Sequence, residues 1–213
     1  MAFPPEATLA DVGEFGLIAE LTSAFSQGDH VLVGPGDDAA VLRIRTGHVV
    51  VSTDLVVEGQ HFRSDWVEAV DVGHRAAAQN LSDINAMGGR AHSLTIGLGA
   101  PGDLPARWAL DFAAGFAAEC GLVGASVVGG DVTRCEQVVI AVTVIGSCSL
   151  APVLRSGAAP GDVLAMADQP WRPAASASSR GGSARHGPWS TPIGARPRRT
   201  TPGRRPPRRA PPP

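Results

Sequence analysis

The polar and apolar positions along this chain alternate between two periods. Residues 14–25 carry Phe15, Ile18, Leu21, Thr22 and Phe25 at intervals that place them on one side of a helix, and Gly28-Asp29 ends it. Val31-Leu32-Val33 reads as a short strand, and a further strand is expected over 39–44. The run Val49-Val50-Val51 is β-branched throughout and has the character of a buried strand. Residues 66–87 return to a helical period, with Val67, Val70, Val72, Ala76, Ala77, Leu81, Ile84 and Met87 apolar and Gly88-Gly89 as the stop. Residues 91–98 alternate as a strand. Residues 106–119 form an alanine-rich helix closed by Cys120-Gly121, 125–128 a strand, and 137–147 the most β-like run. Alternating elements of this kind predict an α+β or mixed α/β fold with helices packed on a mixed sheet.

The polar residues placed among these elements suggest chemistry. Ser52, Thr53 and Asp54 follow the valine run and are read as its carboxyl end. All three are hard oxygen donors of the kind Mg²⁺ prefers. Asp38 follows Gly34-Pro35-Gly36-Asp37, Asp83 closes Asn80-Leu81-Ser82, and Asp131 follows Gly129-Gly130. Asn80 and Asp83, three residues apart, are expected to share a side of their helix. Each motif alone also fits a plain turn or a solvated face. Together they are expected to converge where strand ends meet, an edge at which ligands commonly bind. Carboxylates gathered there repel one another unless cations lie between them, so the set points to a multi-magnesium phosphate site.

Composition narrows the chemistry. All 18 basic residues among the 213 are arginine. Without lysine there is no Walker-type phosphate loop, no kinase strand lysine and no Schiff base. Phosphate must then be handled by metal ions, arginine and backbone N–H groups. The three cysteines show no C-x-x-C spacing and read as reduced small hydrophobes. The first residues show neither a signal peptide nor a membrane span, so the expected compartment is the cytoplasm.

The formal charge of −2 averages two unlike regions. Over residues 1–167 acids outnumber arginines 19 to 8; over 168–213 ten arginines face one aspartate. From about 167 the chain is Arg, Pro, Ser, Gly and Ala without periodicity, a composition expected to stay disordered. Any nucleic-acid binding by this tail would be non-specific. The strand expected at 163–166 is cut off in mid-element, and an Arg/Pro/Ala-rich run is what GC-rich coding sequence yields when read out of frame.

The ordered part resembles thiamine-monophosphate kinase, of the superfamily that includes aminoimidazole ribonucleotide synthetase and selenophosphate synthetase. The resemblance rests on Gly13-Glu14-Phe15-Gly16-Leu17-Ile18, Gly36-Asp37-Asp38-Ala39-Ala40 and Ser52-Thr53-Asp54. It continues through Glu58-Gly59-Gln60-His61-Phe62, the 80–88 segment NLSDINAMG, Gly129-Gly130-Asp131 and Arg155-Ser156-Gly157. It implies the first domain of the superfamily fold over 1–150, the start of a truncated second domain over 151–166 and an aberrant tail over 167–213. It also implies direct transfer of the ATP γ-phosphate to thiamine monophosphate. In that family Asp38, Ser52, Thr53, Asp54, Asp83 and Asp131 would hold several Mg²⁺ ions. Gly130, Asp131 and Arg155 would meet ATP, and His61 the thiamine phosphate. A homodimer through the first domain is implied as well. The family's second domain has further acidic motifs that this sequence lacks, so little or no turnover is expected of this chain. A non-catalytic ATP-binding or dimerising fragment and a sister enzyme of the superfamily are the alternatives.

Overall fold

The structure, a computed structural model, describes residues 3–36, 39–44 and 47–163. Asp38, residues 164–166 of the expected strand and the tail from 167 lie outside the described residues.

The chain begins with a single turn, α1 (Leu9–Val12), held by reciprocal capping. Asp11 accepts from the Thr8 N–H and hydroxyl at 3.0 and 2.6 Å, and Thr8 Oγ1 accepts from the Asp11 N–H. Gly13, at φ 72°, turns the chain into α2 (Glu14–Ser23). Leu17 is the buried residue of that helix, while Phe15 is 84% exposed. The expected apolar face is thus rotated, with Phe15 left outside. Two short strands, β1 (Val31–Val33) and β2 (Val41–Leu42), pair antiparallel; β2 is shorter than the 39–44 expected.

The main sheet has four strands in the order β3-β6-β4-β5, formed by β3 (His48–Val57), β4 (Arg90–Ala100), β5 (Ser126–Arg134) and β6 (Val139–Cys148). β4 and β5 run parallel and the other pairs antiparallel. A parallel pair needs a long crossover, and here α4 (Ala106–Val123) supplies it. With α3 (Ala69–Ala86), α4 covers one face of the sheet. Ile140, Val142, Val144 and Leu94 project from the sheet into the core, where Leu81, Ile84 and Phe116 meet them. Fully burying such a side chain contributes roughly 1.5–3 kcal/mol.

The helices cross through two glycines. A Cβ on Gly73 would lie 2.1 Å from the Phe112 carbonyl oxygen, and one on Gly115 would lie 2.0 Å from that of Val70. Each glycine therefore lets the other helix's backbone approach. Aromatic side chains line α4 on its core side. Phe62 stacks on Trp108, Trp108 on Phe112, and Phe112 lies beside Phe116, with centroids 6.3, 5.8 and 5.8 Å apart.

Several strands and one helix extend past their expected positions. β3 continues through Leu55-Val56-Val57 because its ladder with β6 runs unbroken from His48–Cys148 to Val57–Val139. Ser52, Thr53 and Asp54 consequently lie within the strand and not at its carboxyl end. β5 likewise runs through Gly129-Gly130-Asp131. α4 continues past Cys120-Gly121 to Val123, where Gly124 takes the left-handed cap conformation at φ 69°. α3 starts at Ala69, three residues later than expected, because 63–66 forms a turn in which the Arg63 guanidinium sits 4.5 Å from the Trp66 ring centre.

Candidate functional site

Alternation along β3 sorts its polar residues. Ser52 and Asp54 point toward α3, and Thr53 points to the uncovered face, where its hydroxyl lies 2.9 Å from that of Thr143 on β6. On the covered face a row of polar contacts joins β3 to α3. Ser52 Oγ donates to Asp83 Oδ2 at 2.6 Å. Gln79 Nε2 donates to Asp54 Oδ2 at 2.8 Å. One helical turn further back, Arg75 Nη1 donates to the backbone carbonyl of His61 at 2.5 Å. Arg75, Gln79 and Asp83 are four residues apart and share one side of α3. Steps of four on a helix and two on a strand are each about 6–7 Å, so the contacts between Ser52, Asp54 and α3 keep register.

The turn that carries His61 is braced from within. The Val57 carbonyl accepts from the Gln60 and His61 N–H groups at 3.2 and 2.8 Å, and the Gly59 N–H donates to the Phe62 carbonyl at 2.8 Å. Gly59, at φ 79°, occupies a conformation that a side chain would disfavour. The Val57 N–H donates to His61 Nδ1 at 3.1 Å. Phe62, only 8% exposed, anchors the turn against Trp108. His61 itself is exposed.

Asp54 and Asp83 are both half-buried in this row and offer two carboxylates, Asp83 beside the Ser52 hydroxyl. That donor set suits Mg²⁺, which takes one or two carboxylates and fills its octahedron with water and phosphate oxygens. Among the described residues, the other expected ligands Thr53 and Asp131 do not join them. Asp131 pairs in register with Gly97, Gly97 with Ala141 and Ala141 with Leu55. Paired residues share a face, so Asp131 belongs to the uncovered side, three strand spacings from β3. Among the described residues no three His, Cys, Asp or Glu side chains gather as a metal site. Asn80, expected beside Asp83, turns into the core. It is fully buried and donates to the Ala76 carbonyl at 2.9 Å, and its Oδ1 has no protein partner among the described residues.

A second feature lies at the β5 edge. A cleft of about 440 Å³ is bounded by Leu21 and Phe25 of α2, Phe112 of α4, and Gly129, Gly130 and Asp131. A Cβ at Gly130 would lie 2.1 Å from the Ile96 carbonyl oxygen, so only glycine fits this position. Arg155 is exposed in a short 3₁₀ turn, Arg155–Gly157. It follows Val153, whose N–H bonds the Met87 carbonyl at the carboxyl end of α3.

Residues 36–148, which include every member of the polar row on β3 and α3, match the AIR synthase related protein, N-terminal domain. The chain belongs to this family. This AIR synthase related chain is 48% identical over 169 residues to the thiamine-monophosphate kinase of Mycobacterium tuberculosis H37Rv, covering 79% of this chain and 51% of that protein. It is 37% identical over 161 residues to that of Corynebacterium glutamicum, covering 74% and 47%. Among solved structures, the thiamine-monophosphate kinase from Stenotrophomonas maltophilia K279a superposes with TM-score 0.54 at 34% identity, over 62% of this chain and 41% of that one. The Escherichia coli hydrogenase maturation protein HypE, at TM-score 0.51 and 18% identity over 61% and 41%, shares the fold alone. The chain spans about half the length of the curated relatives it matches.

Sequence reasoning about this AIR synthase related chain missed Arg75 and Gln79. Their signal was present, since both lie at multiples of four before Asp83. A polar residue on a helix is usually solvated, however, and only the position of β3 shows that these two are engaged. Among the described residues no helix is long and apolar enough to cross a membrane.

Proposed function

We propose that the chain carries the magnesium- and nucleotide-binding part of a thiamine-monophosphate kinase, which transfers the γ-phosphate of ATP directly to thiamine monophosphate. The observation that carries this reading is the polar row on β3 and α3 inside a segment so similar to two thiamine-monophosphate kinases. Asp54 and Asp83 would hold Mg²⁺, with Ser52 orienting Asp83. Asp38, Thr53 and Asp131 stay proposed as further magnesium ligands, Thr53 and Asp131 on the opposite face of the sheet from Asp54 and Asp83. Bound Mg²⁺ would neutralise phosphate charge during an in-line transfer. Gly130 would offer backbone to ATP beside Asp131, Arg155 would meet its phosphates, and His61 the phosphate of thiamine monophosphate.

The uncovered sheet face supports a homodimer. Val49, Val51 and Leu55 are more than half exposed there, an apolar strip on one strand interrupted by Thr53. A second copy packed on that face would bury it and would bring Thr53 and Asp131 to a shared interface. Replacing Val51 and Leu55 with lysine should convert a dimer to monomer in sedimentation; an unchanged dimer would refute this interface.

The test of the main reading is calorimetric titration of the full chain with ATP, with and without Mg²⁺, beside a coupled assay for thiamine diphosphate. Magnesium-dependent binding that is lost in Asp54→Asn and Asp83→Asn is expected, with little or no turnover. ATP binding that ignores both magnesium and these substitutions would overturn the proposal.

A further inference from the structure

Arg75 stands at the end of the polar row, away from the two carboxylates, and its partner is a backbone atom of the turn that presents His61. That turn is well held at its start. The Val57 carbonyl takes two N–H groups, and the Val57 N–H takes the imidazole Nδ1. At its far side Phe62 is packed under Trp108. Arg75 reaches from α3 to the His61 carbonyl between these two anchors.

The ring contact has a chemical consequence. A neutral imidazole has one donor and one acceptor nitrogen. Because Nδ1 accepts from Val57, the proton resides on Nε2, and His61 is exposed. The residue thus offers a single outward N–H donor, suited to an anionic oxygen. The peptide that carries the ring must hold its orientation for Nδ1 to stay within reach of Val57, and the Arg75 contact is made to that peptide's carbonyl.

We propose that Arg75 is a positioning residue: it fixes the 57–62 turn so that His61 meets a substrate phosphate as an Nε2–H donor. This rests on the kinase reading for the identity of the phosphate, but the fixed tautomer is independent of it. A guanidinium suits the task because it is always charged and its planar fork loses little freedom on bonding.

The experiment is long-range ¹H–¹⁵N NMR of the His61 ring in the full chain at alkaline pH, where the ring is neutral. Wild type, Arg75→Met and Arg75→Lys are compared, each then titrated with thiamine monophosphate. Wild type should show a single Nε2–H tautomer. Arg75→Met should show shifts averaged between tautomers and bind the phosphate about tenfold more weakly, the loss of roughly one hydrogen bond's worth of order. Arg75→Lys should recover part of both, since an ammonium can still donate to the carbonyl. An unchanged ring signature in Arg75→Met overturns the proposal, and if affinity falls nonetheless, Arg75 touches the ligand directly. A tautomer released by Arg75→Met in a chain that binds no thiamine monophosphate would leave the positioning role standing and remove the kinase reading. Equal binding by both chains with equal ring signatures would do the reverse.

Discussion

Ser52 Oγ donates a 2.6 Å hydrogen bond to Asp83 Oδ2, joining the middle of β3 to the last turn of α3. A bond to an ionised acceptor contributes about 1.5–3 kcal/mol, with the lower end expected for a half-buried pair. Ser52→Ala should therefore destabilise the fold by about 1–2 kcal/mol in urea unfolding. A double-mutant cycle with Asp83→Ala should give a coupling of about 1 kcal/mol. Strict additivity would mean that the contact contributes nothing to stability.

The crossing of α3 and α4 depends on Gly73 and Gly115. A methyl group at either would meet backbone at 2.1 or 2.0 Å, and backbone cannot rotate aside as a side chain can. Each alanine substitution should force the helices apart and cost about 2–3 kcal/mol, near the upper range for overpacking. Gly121 lies in the same helix as Gly115, and a Cβ placed on it would have nothing within 4 Å. Gly121→Ala is therefore the control and should be neutral or stabilising. Urea midpoints of the three variants measure the difference.

Thiol reactivity should separate the cysteines. Burial, and then the negative charge of Glu119, push the Cys120 thiol up to about 12. Cys148 is also buried, whereas Cys135 is half-buried. Iodoacetamide at neutral pH should label Cys135 in the folded protein and the other two only after unfolding, as read by peptide mass spectrometry. Early labelling of Cys120 would contradict the packing of α4.

His92 predicts a pH dependence. Burial first, then the positive charges of His30 and Arg90, lower its pKa from the ordinary 6.5. Its Nε2 lies 2.7 Å from Ser147 Oγ, and the His30 ring lies 5.8 Å away. The unfolded chain then takes up this proton before the folded one does. The contribution is present above 6.5 and is lost as pH falls below it toward the lowered value. Thermal midpoints should drop across that range in wild type and less steeply in His92→Gln. Parallel curves for the two would exclude His92 as a source of the dependence.

The local periods of this chain, its strand-forming runs and the glycines that stop its helices were legible because they follow from backbone geometry and from which side chains avoid water. They located α3, α4, β4 and β6 within a few residues and marked Ser52, Asp54, His61 and Asp83 as chemically capable. What they could not supply was partnership. β3 outran its expected end because β6 offers it a ladder to Val57, and Phe15 faces outward because Leu17 fills the place beneath α2. Whether Asp83 meets Ser52, and whether Asp131 stands apart on the other face, depends on strand order and on the two-residue alternation of each strand. Those are set by long-range pairing, which one strand's sequence does not encode. The chain's order of residues determined the inventory of oxygen donors and the absence of lysine. Tertiary packing alone decided which donors share a face, because neighbours across a sheet or a helix interface lie far apart along the chain.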